Sequence, residues 1–484
     1  MLKIYNTETK YKQEFESIIP NIVSMYNCGL TVNGYAHIGH FRAYTSADTI
    51  RRTLEWIGYD VKQVMNFTDV GHLTFTEEQK KQMGEREVND ADSGLDKMEK
   101  AAKKEGKTAW EVADFYIGET MKDFKEMNYE EPFKRPRATE YVNEQIEMIK
   151  ILLEKGFAYI TPSAIFFDTT KVESYGKLTG QNINEKITGV REEVEVDENK
   201  KHPSDFRLWQ LDQKDHQMQW DSPWGKGFPG WHIECSAMSK TILGDTIDIH
   251  TGGIDNLPVH HVNEMAQSEA ANGVPFVHYW YHNEFLTIDG KKMSKSLGNV
   301  YGLREIKEHG FDAMDLRYLY FLVNFRMKQN FTFEALDQAK NARLKLKKFI
   351  ENNPEYENIL KGVEKKEYEN NEFFMNFKSA IEDSFNMPEA IATTWNVVNS
   401  SESDKDKLSL LFLFDQVLGL KLFEKNIVEI SIDLKNKLDE IVEKRIEAKN
   451  NKDYKLADEL REEAKKLGYE IYDGKDGMGY KKIN

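Results

Sequence analysis

Three things are scarce in this chain of 484 residues. Cysteine is the first, with only Cys28 and Cys235 present. So low a density rules out a disulfide framework, and an isolated cytosolic cysteine is by default a small buried apolar side chain. Long apolar runs are the second. No stretch of about 18 such residues occurs, so no transmembrane helix is expected. The opening Met1-Leu2-Lys3-Ile4-Tyr5-Asn6 also lacks the apolar centre of a secretory signal, and a cytoplasmic chain is the expectation. Positive charge is the third: 66 Lys and Arg against 82 Asp and Glu leave a net −16. That balance serves solubility and excludes a strongly basic nucleic-acid binder, while leaving room for a local basic stripe.

What is present points to a well-buried chain of two to four domains, with 40% hydrophobic and 12% aromatic residues. Residues 22–26 read as a buried strand, 37–57 as an apolar-periodic helix ended by Gly58, and 61–67 as a second strand closing on Thr68. Strand, helix and strand in this order start a doubly wound parallel sheet, whose ligands gather at the carboxyl ends of strands. Cys28, His37, His40 and Thr68 all fall there. The sheet is expected to resume near residues 206–209 and again at 246–250, which run into Thr251-Gly252-Gly253. A strand ending in paired glycines suits close approach of a nucleotide. Residues 90–96 read as a solvated turn rather than a calcium loop, and 186–203 as an insertion or hairpin. After about residue 300 the texture is helical, with helices expected over 304–325, 333–350, 372–384, 388–399 and 405–418. A charged helical pair follows over 434–467. No internal repeat or low-complexity tract is visible.

Two motifs 255 residues apart carry one chemistry. His37-Ile38-Gly39-His40 offers two imidazoles three residues apart, expected on one helical face, with Gly39 leaving room for a nucleotide. Lys292-Met293-Ser294-Lys295-Ser296 offers two ammonium and two hydroxyl groups for a departing pyrophosphate. Together they fit the holding of ATP while a carboxylate attacks its α-phosphate. The pair resembles the class I aminoacyl-tRNA synthetases. A third constellation lies beyond Gly253: Pro258 opens a helix on which His260 and Glu264 stand four apart. With Cys28 and Cys235 they make two sulfurs, one nitrogen and one oxygen, all acceptable zinc ligands.

Longer blocks carry a more specific resemblance, over nearly the whole chain, to the cysteinyl-tRNA synthetase family. They are Tyr26-Asn27-Cys28-Gly29-Leu30-Thr31-Val32, Asn66-Phe67-Thr68-Asp69-Val70, Asp205-Phe206-Arg207-Leu208-Trp209, Pro229-Gly230-Trp231-His232-Ile233-Glu234-Cys235-Ser236 and Phe385-Asn386-Met387-Pro388-Glu389-Ala390. Departures occur at Asn33-Gly34, Gln210 and Val262, the last removing a carboxylate from the metal helix. The resemblance implies an α/β protein. Its Rossmann-like doubly wound catalytic domain would span residues 1–115 and 205–300, with an inserted connective domain at 116–204. A stem-contact region (301–350), an all-α helical bundle (351–430) and a small C-terminal anticodon domain (431–484) would follow.

It also implies a reaction, cysteine activation by ATP with Mg²⁺ and transfer to the terminal ribose of cysteine tRNA, by a monomer without membrane attachment. The implied catalytic groups are His37, His40, Lys292 and Lys295. ATP would also meet Gly39, Gly252, Gly253, Asp255, Met293, Ser294 and Ser296. Cysteine would meet Cys28, Gly29, Thr31, Thr68, Trp231, His232 and Asp255. One zinc per chain, on Cys28, Cys235, His260 and Glu264, would hold the substrate thiolate and reject serine. The region from about Tyr301 is expected to read the tRNA through Arg343, Lys345, Lys347 and Lys348, a basic tail from Lys444, and Tyr472 or Tyr480 as stacking rings. Two other readings stay open: a ligase passing the same adenylate to an amino sugar, and a zinc-binding paralogue without catalysis. The long helical end counts against the first and the intact ATP motifs against the second.

Overall fold

The computed structural model describes residues 1–70, 73–74, 95–180, 199–211, 216–294, 297–353, 356–424, 432–474 and 477–482. The segments expected at 90–96 and 186–203 lie largely outside these. The opening unit is β1 (Ile22–Thr31), α1 (Ile38–Ile57) and β2 (Asp60–Thr68). His37 is the N-cap of α1 rather than a member of its face. Its Nδ1 accepts the His40 N–H, and His40 Nδ1 accepts the His37 N–H, both at 3.3 Å. This reciprocal box satisfies two of the free donors of a helix start, and Gly58, at φ 110°, ends the helix in the left-handed region.

Beyond α2 (Ala109–Glu126) and α3 (Val142–Glu154) comes a small antiparallel sheet. Its strands are β3 (Ala158–Ile160), β4 (Ala164–Phe167), β5 (Phe206–Leu211) and β6 (Gly227–Pro229), in the order β6-β5-β4-β3. The expectation that residues 206–209 rejoin the parallel sheet is thereby corrected. A short apolar strand does not choose its own partner. Here β5 is claimed on one side by β4 and on the other by β6, where a Cβ on Gly227 would lie 1.9 Å from the Gln210 carbonyl oxygen.

The chain returns to the parallel sheet through α4 (Trp231–Leu243), β7 (Ile247–Gly253), α5 (Val262–Asn272) and β8 (Val277–Asn283). The sheet order is β8-β7-β1-β2, every neighbouring pair parallel. Both faces are buried, as a parallel sheet requires: Val23, Met25, Met65 and Phe67 pack with α1, while Tyr26 and Val64 pack with Ile233 and Met238 of α4. Winding runs outward from β1 to β2 on one side and through β7 to β8 on the other. The crevice at the carboxyl ends of β1 and β7 is therefore the switch point of the sheet.

Next come β9 (Leu286–Ile288), β10 (Lys291–Lys292), α6 (Leu303–Glu308), α7 (Ala313–Phe321), β11 (Gln329–Phe331) and α8 (Phe333–Glu351). The single helix expected over 304–325 is two helices. Gly310 at φ 82° breaks the run, and Asp312 restarts it by accepting the Met314 and Asp315 N–H groups at 2.8 and 2.9 Å. On α8 the expected basic face is also corrected, because Arg343 and Lys347 are buried. Arg343 is paired with Asp312 at 2.5 Å and Asp315 at 2.9 Å, leaving Lys345 and Lys348 exposed.

The helices α9 (Glu372–Glu382), α10 (Met387–Asn399) and α11 (Asp404–Leu418) are fused to the sheet domain. Trp56 of α1 packs on Phe374 and Phe377, with ring centroids 5.0 and 6.0 Å away. Buried Asp48 receives Arg52 at 2.8 Å and Arg317 at 2.5 Å, and these guanidinium groups donate onward to the carbonyls of Gln416 and Leu418. Residues Met1–Phe423 thus form one compact unit. Glu424–Asn484 form another: α12 (Ile432–Asn450), α13 (Tyr454–Lys466) and the hairpin β12 (Tyr469–Gly474) with β13 (Gly477–Lys482), closed on Leu438, Ile441, Leu460 and Ile471.

Candidate active site and metal centre

The pairing of β1 with β2 slips between Asn27 and Leu30. At that slip the Gly29 N–H donates to Asn66 Oδ1 at 2.9 Å, and a Cβ on Gly29 would stand 1.5 Å from the Asn66 carbonyl oxygen. No side chain fits so close a backbone approach. The irregularity presents Cys28 to α4 and α5. Its Sγ lies 4.0 Å from Cys235 Sγ and 3.5 Å from Glu264 Oε1. His260 belongs to a π-type turn, Leu257–His261, that enters α5, and its Nε2 is 2.8 Å from Glu264 Oε1. Ligand atoms of all four residues lie within 4.8 Å of one another.

This donor set fits a small soft cation. Two sulfurs on a tetrahedral zinc stand about 3.8 Å apart, given bonds of about 2.3 Å. The His260 Nε2 is buried and, despite its short distance to Glu264, is not aligned in a hydrogen bond, as two donors aimed at a common point would be. Burial pushes the Cys28 thiol well up, with Cys235 the next cause, whereas the hydrogen bond from Cys28 holds the Cys235 thiol down. Burial works against charge on both members of the other pair. It is overcome: His260 and His250 pull the Glu264 carboxyl well below its usual range, and Glu264 pushes His260 up to about 10. Binding a cation here would displace these protons.

Three further histidines, none singled out from sequence, complete the centre. His250 Nε2 lies 3.1 Å from Glu264 Oε2, the oxygen turned away from His260. His261 Nε2 is 3.4 Å from Cys28 Sγ, and its Nδ1 meets His282 Nε2 at 2.7 Å. His282 in turn meets Thr7 Oγ1 at 2.8 Å. Burial lowers His261 well below the ordinary imidazole value and lowers His282 to about 3. Cys28, His250, His261 and Glu264 form a second cluster of the same size. The first set is the better cation site because it includes both thiols, while the added histidines orient its members. The one local signal in the sequence is that His261 adjoins His260; His250 lies mid-strand in β7 and His282 is the penultimate residue of β8.

The sequence-predicted pocket residues surround this centre. Trp231 stacks on His260 at 4.2 Å, and His232 Nδ1 is 2.9 Å from His260 Nδ1. Thr31 and Thr68 face each other across β1 and β2, and Thr68 Oγ1 accepts from Asn66. Gly252 admits a protein group beside it: a Cβ there would lie 2.5 Å from the His261 ring. Gly253 is crowded by the Asp255 carboxylate, 2.2 Å from its added Cβ. Asp255 is exposed at the strand end, yet surrounding protein raises its carboxyl by desolvation, against the pull of His260 and Lys292. Val262 is buried in the apolar core at the start of α5.

The two ATP motifs meet. The rings of His37 and His40 stack with centroids 3.5 Å apart, and a Cβ on Gly39 would touch both His37 and Met293 Cε, at 3.2 and 3.3 Å. Lys292 is exposed on β10. Asn299 closes the loop, its Oδ1 accepting the Ser294 N–H at 2.8 Å and its Nδ2 donating to the Lys292 carbonyl at 3.1 Å. Lys295 and Ser296 lie outside the described residues.

Comparisons with known proteins establish the family. The family model for "tRNA synthetases class I (C) catalytic domain" matches residues 14–341. Cysteine--tRNA ligase of Treponema denticola is 39% identical over 506 aligned positions, covering 100% of both chains. The chain belongs to the cysteinyl-tRNA synthetase family. It is accordingly an aminoacyl-tRNA ligase with a Rossmann-like catalytic domain. The fold is also that of Mycobacterium tuberculosis methionyl-tRNA synthetase in complex with methionyl-adenylate. That structure superposes with a TM-score of 0.53 at 14% identity, covering 82% of this chain and 90% of the other. Among the described residues, no helix is long and apolar enough to cross a membrane.

Proposed function

We propose that this synthetase activates L-cysteine with ATP and passes the cysteinyl group to the terminal ribose of cysteine tRNA. The carrying observation is the convergence of Cys28, Cys235, His260 and Glu264 at the switch point beside the paired ATP motifs. These four residues would hold one zinc ion, which when bound supplies a soft Lewis acid that favours a thiolate over a hydroxyl. Trp231 and His232 set the ring of His260, and Thr31, Thr68 and Asp255 lie within the same crevice to receive the amino acid's ammonium and carboxylate.

In the first half-reaction the cysteine carboxylate attacks the α-phosphorus of Mg²⁺-bound ATP and pyrophosphate leaves. His37 and His40 donate to phosphate oxygens from the start of α1, where the helix dipole also favours an anion. Gly39, lacking a side chain, would let the nucleotide approach beside Met293. Lys292, with Lys295, supplies positive charge to the leaving pyrophosphate. In the second half-reaction the ribose hydroxyl attacks the cysteinyl carbonyl and AMP leaves.

The division of labour follows the domain expectation, with the connective region carried on to Pro229 by its antiparallel sheet. Residues 301–350 would contact the tRNA stem, the helical bundle of 351–430 would bind tRNA, and 431–484 would read the anticodon. A monomer in the cytoplasm suits the reading, since two free thiols persist in a reducing compartment. Charging of cysteine tRNA with labelled cysteine tests the proposal, and failure to accumulate acid-precipitable cysteinyl-tRNA would refute it.

A further inference from the structure

Tyr35 stands two residues before His37, and 46% of it is exposed. Beside it on α2 are Phe115, 40% exposed, and Tyr116. Tyr35 meets Phe115 edge-on at 6.3 Å and Tyr116 at 5.1 Å. A cation lies over each outer ring: Arg304 is 5.2 Å from the centroid of Tyr35, and Lys107 is 4.4 Å from that of Phe115. Arg304 sits at the start of α6, just past the loop that carries Met293. The same stretch is tied to the first ATP motif, because the Ile38 N–H donates to the Tyr301 carbonyl at 2.9 Å. The rings therefore share a rim with the ATP motifs.

Carboxylates are present as well. Lys107 pairs with Glu105 at 3.0 Å, and the Tyr116 hydroxyl donates to Glu105 at 2.5 Å. Arg304 pairs with Glu305 at 2.8 Å and reaches Glu308 at 4.0 Å. Ion pairs this exposed are weak and exchange readily for phosphate. Two large rings held open to solvent, each faced by a cation, are what unpaired nucleobases stack on, the cations meeting the phosphates between them. A base-paired stem offers no free faces to such rings.

We propose that Tyr35 and Phe115, with Arg304 and Lys107, form a platform on which the unpaired 3′ end of tRNA stacks as it enters the site. This rests on the function proposed above and assigns one strand of that substrate to one surface. The test compares the binding of two RNAs, intact cysteine tRNA and the same tRNA shortened by its unpaired 3′ nucleotides. Tyr35→Ala and Phe115→Ala should each weaken binding of intact tRNA about tenfold. Neither should change the affinity for the shortened tRNA, and Tyr35→Phe and Phe115→Tyr, which keep a ring, should bind both RNAs as the wild type does. Unchanged binding of intact tRNA by both alanine variants would overturn the platform. So would equal weakening for intact and shortened tRNA, since the rings would then serve the stem or the fold. Cysteine-dependent ATP–pyrophosphate exchange by the wild type needs no tRNA, so its absence would sink the functional reading without touching this comparison.

Discussion

At the scale of single residues, the centre depends on close backbone and side-chain approaches. Gly29 is the clearest case. Its missing Cβ lets β1 approach Asn66 and brings Cys28 to the crevice, so Gly29→Ala should destabilise the fold by about 3 kcal/mol, read from denaturant unfolding. Cys235 is buried, with its Sγ 4.0 Å from that of Cys28. Cys235→Ser should reduce bound zinc from about one per chain to near none by metal analysis, with the far-ultraviolet spectrum retained. Lys292 is exposed, so Lys292→Ala should leave stability unchanged while slowing pyrophosphate exchange about 100-fold or more. The ligand quartet was legible in the sequence because both cysteines are unique and His260 and Glu264 keep a helical spacing. His250, His261 and His282 were not, because residues on separate strands and a turn carry no common spacing signal toward the site they assemble.

At the scale of elements, α1 joins chemistry to architecture. Its first residues form both the ATP motif and the helix cap, and more than two turns beyond His40 it carries Asp48, which ties α7 and the end of α11 to the sheet. Burial raises the Asp48 carboxyl, but Arg52 and Arg317 together overcome this and hold it below its usual range. A carboxyl depressed on folding adds stability at neutral pH, and that increment fades as the pH falls below about 4. Asp48→Asn should lower stability by about 3 kcal/mol at pH 7, because two buried guanidinium groups lose the carboxylate they share, Arg52 keeping Glu130 at 2.8 Å. The loss should shrink toward acid pH. A stability difference that stays constant with pH would contradict the assignment. The helices themselves were legible from periodicity and caps. The break at Gly310–Asp312 was missed because apolar residues continue on both sides of it, and the sheet membership of β5 was missed because a strand's partners lie elsewhere in the chain.

At the scale of the whole molecule, a long-range division of labour has a structural limit. The helices after α8 share a core with α1 through Trp56, Phe374 and Phe377, so a chain cut near Asn352 would lose part of the sheet domain's own packing. The compact unit ends at Phe423. A chain ending there should retain cysteine-dependent exchange while charging tRNA with a raised KM, and unaltered charging would remove the second unit from tRNA recognition. Within that unit, Tyr472 is exposed, whereas the Tyr480 hydroxyl donates to Asp439. The central claim is that the quartet at the switch point selects cysteine. Its most direct test is ATP–pyrophosphate exchange with cysteine against serine as the amino acid. The account predicts a preference in kcat/KM far above the roughly 200-fold that apolar packing alone provides. Comparable exchange with the two amino acids would contradict it.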